Sequence, residues 1–350
     1  MPLKKTLIAA SALLSPLLMP LAAPAATFTQ MFVFGDSLSD TGNLYAQTSS
    51  LLPLAPFGVP ASPPYAQKFS NDDLWVEYLA DEFVPGPAAL PVSNFALGGA
   101  TTSEFNIINN FLPTPLFPDF DGVQEQVFEA YLGLSPLIDP NALYTLWAGA
   151  NDYLGGGVSD PTIPVNNLTT AINAFVDAGV QNLLVLNLPD LGRLPATSGD
   201  PSQAAALSAI ANQHNTLLAQ AVQGIRQVTL FDVKSLFDQA LAGGFGFTNT
   251  TTACLQGFVA PLPALAGVPC SNPGETLFWD DIHPTSRAHA EIAQAILVEL
   301  QADEPVASTP EPGSWLSLLA LGSLAIAFKL KHRQSPDQTQ PAEIRVQSLG

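Results

Sequence analysis

Met31-Phe32-Val33-Phe34-Gly35-Asp36-Ser37-Leu38-Ser39-Asp40 is the stretch that decides the fold. Its first four residues are apolar without alternation, the pattern of a strand covered on both faces, as in a parallel sheet. Gly35 then ends the run and turns the chain. Further runs of strand length follow at residues 92–97, 143–147, 183–188 and 228–231. Between them, residues 74–79, 168–178 and 204–225 carry apolar side chains at spacings of three and four, which is the helical period. A last helix over 285–300 begins after Pro284 and aligns Ala288, Ile292, Ile296 and Leu300 on one face. Strands alternating with helices predict a three-layer α/β/α domain around a central parallel sheet. In such sheets the site lies at the carboxyl ends of the strands.

The ends of the chain read differently. Lys4 and Lys5 precede an apolar run over 7–21 and the small residues Ala22-Ala23-Pro24-Ala25-Ala26, the layout of a signal peptide over 1–25. A domain over 26–304 follows, long enough for one large core. Pro310-Glu311-Pro312, an apolar run over 315–328 and the cluster Lys329, Lys331 and Arg333 occupy 305–333, and a polar tail fills 334–350. The apolar run is shorter than the roughly 20 residues of a full span, although flanking lysines and arginine can snorkel.

The formal net charge is −19, and only Lys68, Arg193, Arg226, Lys234 and Arg287 of the 11 Lys and Arg lie in the central domain. That part is strongly acidic, which argues against nucleic acid as a partner. Cys254 and Cys270 fall in a Gly-, Pro- and Thr-rich stretch. In an exported chain a disulfide is the default reading, with metal binding the rival.

Four segments can carry chemistry. Ser37 follows a strand end, where backbone N–H groups can stabilise an oxyanion, although a helix cap explains such a serine equally well. In Trp279-Asp280-Asp281-Ile282-His283-Pro284-Thr285, the spacing of three puts Asp280 and His283 on one side of a tight turn and points Asp281 elsewhere. Gly98-Gly99-Ala100 and Gly149-Ala150-Asn151-Asp152 follow the second and third strands, and a glycine N–H and an Asn side chain suit an oxyanion. All four fall on one edge of the expected sheet. His214 and His289 read as structural or surface residues, since neither has a placed carboxylate. No zinc or phosphate-binding pattern and no Gly-x-Ser-x-Gly elbow occurs.

In these segments the chain resembles the GDSL/SGNH hydrolases, in particular their lipase, acylhydrolase and hemolysin-like branch. The likeness rests on residues 34–43, 94–101, 149–153 and 278–285, in the family's order, with a further block at 187–192. One departure is Asp72, where the family has Gly. The resemblance implies a flavodoxin-like SGNH-hydrolase fold, with Ser37 as nucleophile and His283 and Asp280 as its partners. The N–H groups of Ser37 and Gly99 and the side chain of Asn151 would form the oxyanion hole, and the Cys254–Cys270 pair would be a disulfide. No cofactor and no metal are needed. The implied substrate is a carboxylic ester, lipids among the candidates. An acyltransferase with the same site and an inactive surface-binding module are the rival readings. The C-terminal segment resembles a PEP-CTERM sorting signal, which implies an exosortase-like protease as partner and a transiently membrane-anchored enzyme that becomes a cell-surface or secreted product after C-terminal processing, with a plain C-terminal membrane anchor as the rival reading.

Overall fold

The computed structural model describes residues 28–51, 58–83, 90–112, 118–256 and 267–302, all within the compact unit Met1–Glu304. The signal peptide, sorting segment and polar tail read from the sequence lie outside the described residues. Among the described residues no helix is long and apolar enough to cross a membrane, and the apolar run at 315–328 is not among them.

Five parallel strands form the central sheet: β1 Met31–Gly35, β2 Val92–Asn94, β3 Leu143–Trp147, β4 Asn182–Leu186 and β5 Val228–Phe231. Their order is β2-β1-β3-β4-β5. The order reverses between β1 and β3, so their carboxyl ends open a crevice at that switch point. The α-helices among the described residues are α1 Asn43–Leu51, α2 Trp75–Phe83, α3 Val123–Glu125, α4 Ala150–Leu154, α5 Thr162–Ala178, α6 Pro195–Ser198, α7 Pro201–Val222, α8 Val233–Leu241 and α9 Ser286–Ala302.

Alternation along the strands divides the core in two. Met31, Val33, Leu143, Trp147, Leu184 and Leu186 face a layer built by α2, α8 and α9. Phe34, Tyr144, Leu146, Leu183 and Val185 face the opposite layer, made by α5, the end of α7 and residues 123–131. Both faces are covered, which is why these strands carry no polar face.

One difference from the sequence pattern has a local cause. β2 ends at Asn94 rather than Leu97, because the Asn94 side chain turns to the Ser39 carbonyl and the Thr41 hydroxyl. Backbone bonds from Phe95 and Leu97 to Val33 and Gly35 still carry the chain along β1. Beyond the main sheet, β6 Asn249–Ala253 pairs with β9 Thr276–Phe278, and β7 Leu255–Gln256 with β8 Val268–Pro269. The disulfide Cys254–Cys270 joins this small region.

Candidate active site

The turn after β1 is held from three sides. Gly35 has φ +149° and lies so close to β3 that any side chain there would strike the Trp147 carbonyl. The Gln126 side chain accepts from the Gly35 amide at 2.9 Å and donates to the Gly35 carbonyl at 2.9 Å. Asp36 Oδ1 accepts from the Leu38 amide and draws the turn closed. Asp40 then accepts from the amides of Gly42, Asn43 and Leu44 at the start of α1, and also from Gly98 at 2.8 Å. One carboxylate thus locks the turn carrying Ser37 to the loop carrying Gly98 and Gly99.

The loops after β2 and β3 are tied in turn. Asp152 accepts from the Thr102 amide at 2.9 Å and from its hydroxyl at 2.7 Å. Asn151 Nδ2 donates to the Ala100 carbonyl at 3.0 Å, which occupies one of its two amide hydrogens. Gly99 takes φ +81°, a left-handed backbone that favours glycine. Among the described residues, neither the Ser37 nor the Gly99 amide has an acceptor.

Asp280 folds its own turn. Its Oδ1 accepts from the amides of Ile282 and His283 at 2.8 and 2.6 Å, and the His283 carbonyl accepts from the Trp279 amide at 2.7 Å. That closure brings His283 Nδ1 to 2.8 Å from Asp280 Oδ2. The other ring nitrogen, Nε2, lies 2.8 Å from Ser37 Oγ. Asp281 is exposed, as the spacing predicts. Phe69 packs its ring against the imidazole at 5.0 Å, and Asn71 accepts from the Ser286 amide at the start of α9. The loop containing the Asp72 departure therefore still meets the histidine turn.

Electrostatics follow from burial. Asp280 is 3% exposed; burial pushes its carboxyl up, but the His283 charge and the hydrogen bonds from His283 and Tyr65 hold it below the usual range. At Asp36 burial outweighs the Leu38 hydrogen bond and the nearby His283 and raises the carboxyl to about 7.

The structure brings Ser37, Asp280 and His283 into one hydrogen-bonded chain, with Ser37, His283 and Asn151 lining one pocket. Gly99 is not among that pocket's lining residues and stands beside it on the neighbouring loop. His214 is buried, with Nδ1 at 2.9 Å from the Tyr153 hydroxyl, and burial lowers it to about 4. His289 is fully buried, and neither ring nitrogen has a partner among the described residues. Neither is a surface residue.

Sequence reading misses two contributors. Tyr65 donates its hydroxyl to Asp280 Oδ2 at 2.6 Å from the Pro-rich loop that contains Pro60, Pro63 and Pro64. Gln126 braces Gly35 from 91 residues away. No local period links either residue to its partner.

Comparison with known proteins agrees with the fold and the motifs. The GDSL-like lipase/acylhydrolase family model matches residues 31–296. A phosphatidylcholine-sterol acyltransferase of Aeromonas hydrophila is 31% identical, over 78% of this chain and 91% of that protein. An acetylesterase of Thermothelomyces thermophilus is 26% identical, over 79% and 90%. The thermolabile hemolysin of Vibrio parahaemolyticus is 27% identical over 77% of this chain and 63% of its own length. The chain therefore belongs to the GDSL-like lipase/acylhydrolase family and carries a PEP-CTERM protein-sorting motif over residues 308–333.

Proposed function

We propose that this protein is an exported serine ester hydrolase that acts through an acyl-enzyme on Ser37. The observation that carries the reading is the chain Ser37 Oγ, His283 Nε2, His283 Nδ1 and Asp280 Oδ2, with 2.8 Å at each hydrogen bond. His283 takes the Ser37 proton as Oγ attacks the ester carbonyl, and Asp280 fixes the ring's tautomer and stabilises the imidazolium. The Ser37 and Gly99 amides, which have no acceptor among the described residues, and the second Nδ2 hydrogen of Asn151 are suited to hold the oxyanion. His283 then returns its proton to the leaving alcohol. Water attacks the acyl-enzyme with His283 again as base, releasing the acid and restoring Ser37.

The likeness to the Aeromonas acyltransferase favours a second outcome at the same acyl-enzyme, attack by an alcohol in place of water. Incubating the protein with a p-nitrophenyl ester and an alcohol acceptor, then resolving acid from new ester, separates the two. Acid as the main product supports hydrolysis, whereas new ester in excess of acid makes the protein a transferase.

The leader over 1–25 and the motif over 308–333 support export, followed by recognition of Pro310-Glu311-Pro312 by an exosortase-like protease and release at the cell surface. An epitope placed after Arg333 in the native host tests this. Sorting predicts surface enzyme without the epitope, and a mature protein that retains it overturns the idea.

A further inference from the structure

The pocket at Ser37 is walled by Trp147, Leu154, Leu191, Leu194, Phe237 and Ile282, all apolar. The space open within it to the centre of a water molecule is about 30 Å³. One water needs roughly 10–15 Å³ on that measure, so the pocket has room for about two small groups. Phe237 is one of its walls. It projects from α8, is 4% exposed, and packs on Phe278 with ring centroids 6.4 Å apart.

Behind that ring lies a second void, lined by Phe237 again together with Ala240, Phe247, Leu277, Ala288 and Ile292. It offers about 10 Å³ by the same measure, at the limit for one water, and its walls are apolar apart from Glu291. Past it, Leu236, Phe245 and Glu291 line both this void and a surface groove of about 450 Å³ between α8 and α9. Neighbouring spaces thus share walls, and among the described residues Phe237 is the one that lines both of the first two.

We infer that Phe237 sets the acyl-chain length of the enzyme. With the ring in place the pocket takes acetyl and propionyl groups and stops longer chains. Without it, the pocket joins the void behind and points a chain toward the groove. The inference rests on the proposed ester hydrolysis at Ser37. Removing six ring carbons opens space for roughly four chain carbons if the site collapses only partly. A methylene gained or lost in an apolar pocket changes kcat/KM by about tenfold or more.

The test is kcat/KM of the full-length protein on p-nitrophenyl esters from acetyl to octanoyl, for wild type, Phe237→Ala and Phe237→Leu. Wild type is expected to fall steeply beyond propionyl, and Phe237→Ala to raise the hexanoyl-to-acetyl ratio by at least about tenfold. Phe237→Leu keeps an apolar side chain in the core and is expected to move the optimum by one or two carbons, so it carries the test if Phe237→Ala does not fold. Folded, active variants with the wild-type profile would overturn the inference, as would a wild type that cleaves octanoyl as well as acetyl. A wild type inactive on the whole series refutes the proposed activity and the inference with it.

Discussion

Replacing Tyr65 by Phe removes one oxygen from the site and nothing else. That oxygen donates to Asp280 Oδ2 at 2.6 Å in a buried setting, so the bond is short and charge-assisted. Such a bond contributes about 1.5–3 kcal/mol. Phe leaves no unpaired donor behind, and Asp280 keeps its bonds from Ile282, His283 N and His283 Nδ1. The loss should therefore lie within that range rather than above it. The pH dependence has a definite sign. Asp280 is held below its ordinary value, so its contribution is present above the unfolded-state pKa of 3.8 and is lost as pH falls through the lower folded value. Urea unfolding should thus show Tyr65→Phe destabilised by about 1.5–3 kcal/mol near neutrality, a deficit that shrinks as pH falls through the lowered folded value of Asp280. In ester hydrolysis kcat should fall about tenfold with KM little changed, as Asp280 gains freedom to turn from His283. The acid limb of the kcat/KM profile should move upward, because a hydrogen bond to the ionised form of Asp280 is gone. Equal stability at neutral pH with an unmoved acid limb would refute the positioning role of Tyr65.

Asn151→Ala should lower kcat by about 10² to 10³ with little change in KM, as for a donor that acts mainly in the transition state. A loss of melting temperature without a selective loss of kcat would instead make its bond to Ala100 the whole of its role. Burial raises Asp36 to about 7 from 3.8, so the wild type should lose stability as pH rises through that window, by up to about 4 kcal/mol. Asp36→Asn, which can keep the acceptor for Leu38, should flatten that decline, and urea midpoints across the window that match the wild type would contradict it. Changing Cys254 and Cys270 together to Ser should cost about 3 kcal/mol, the loop-closure value for a separation of 16 residues. Unchanged denaturant midpoints would show that the cross-link adds nothing to the folded state.

Much of the fold is readable because its strands are buried on both faces. The runs at Met31–Gly35 and Leu143–Trp147 are buried along nearly their whole length, and the boundaries of these strands and of the half-buried edge strand Val228–Phe231 follow the hydropathy closely. The Asp280–His283 pair is equally legible, since a spacing of three and one carboxylate suffice to close the turn. α8 is different. Its cap Asp232 and the buried Val233, Phe237 and Ala240 form a short amphipathic pattern that is present in the sequence but brief enough to pass for loop. Tyr65 and Gln126 leave no signal at all, because their partners lie 215 and 91 residues away and only the folded topology brings them together. The buried state of His214 and His289 is hidden for the same reason, as their surroundings come from other elements.

The most direct test of the account is the site of covalent labelling by a fluorophosphonate, read by intact mass and peptide mapping on wild type and Ser37→Ala. The account predicts a single adduct on Ser37 that forms in step with loss of esterase activity, and no adduct and at least about 10⁴-fold lower kcat in the variant. An adduct on another residue, or a Ser37→Ala protein that keeps more than about a tenth of the wild-type turnover, would contradict it.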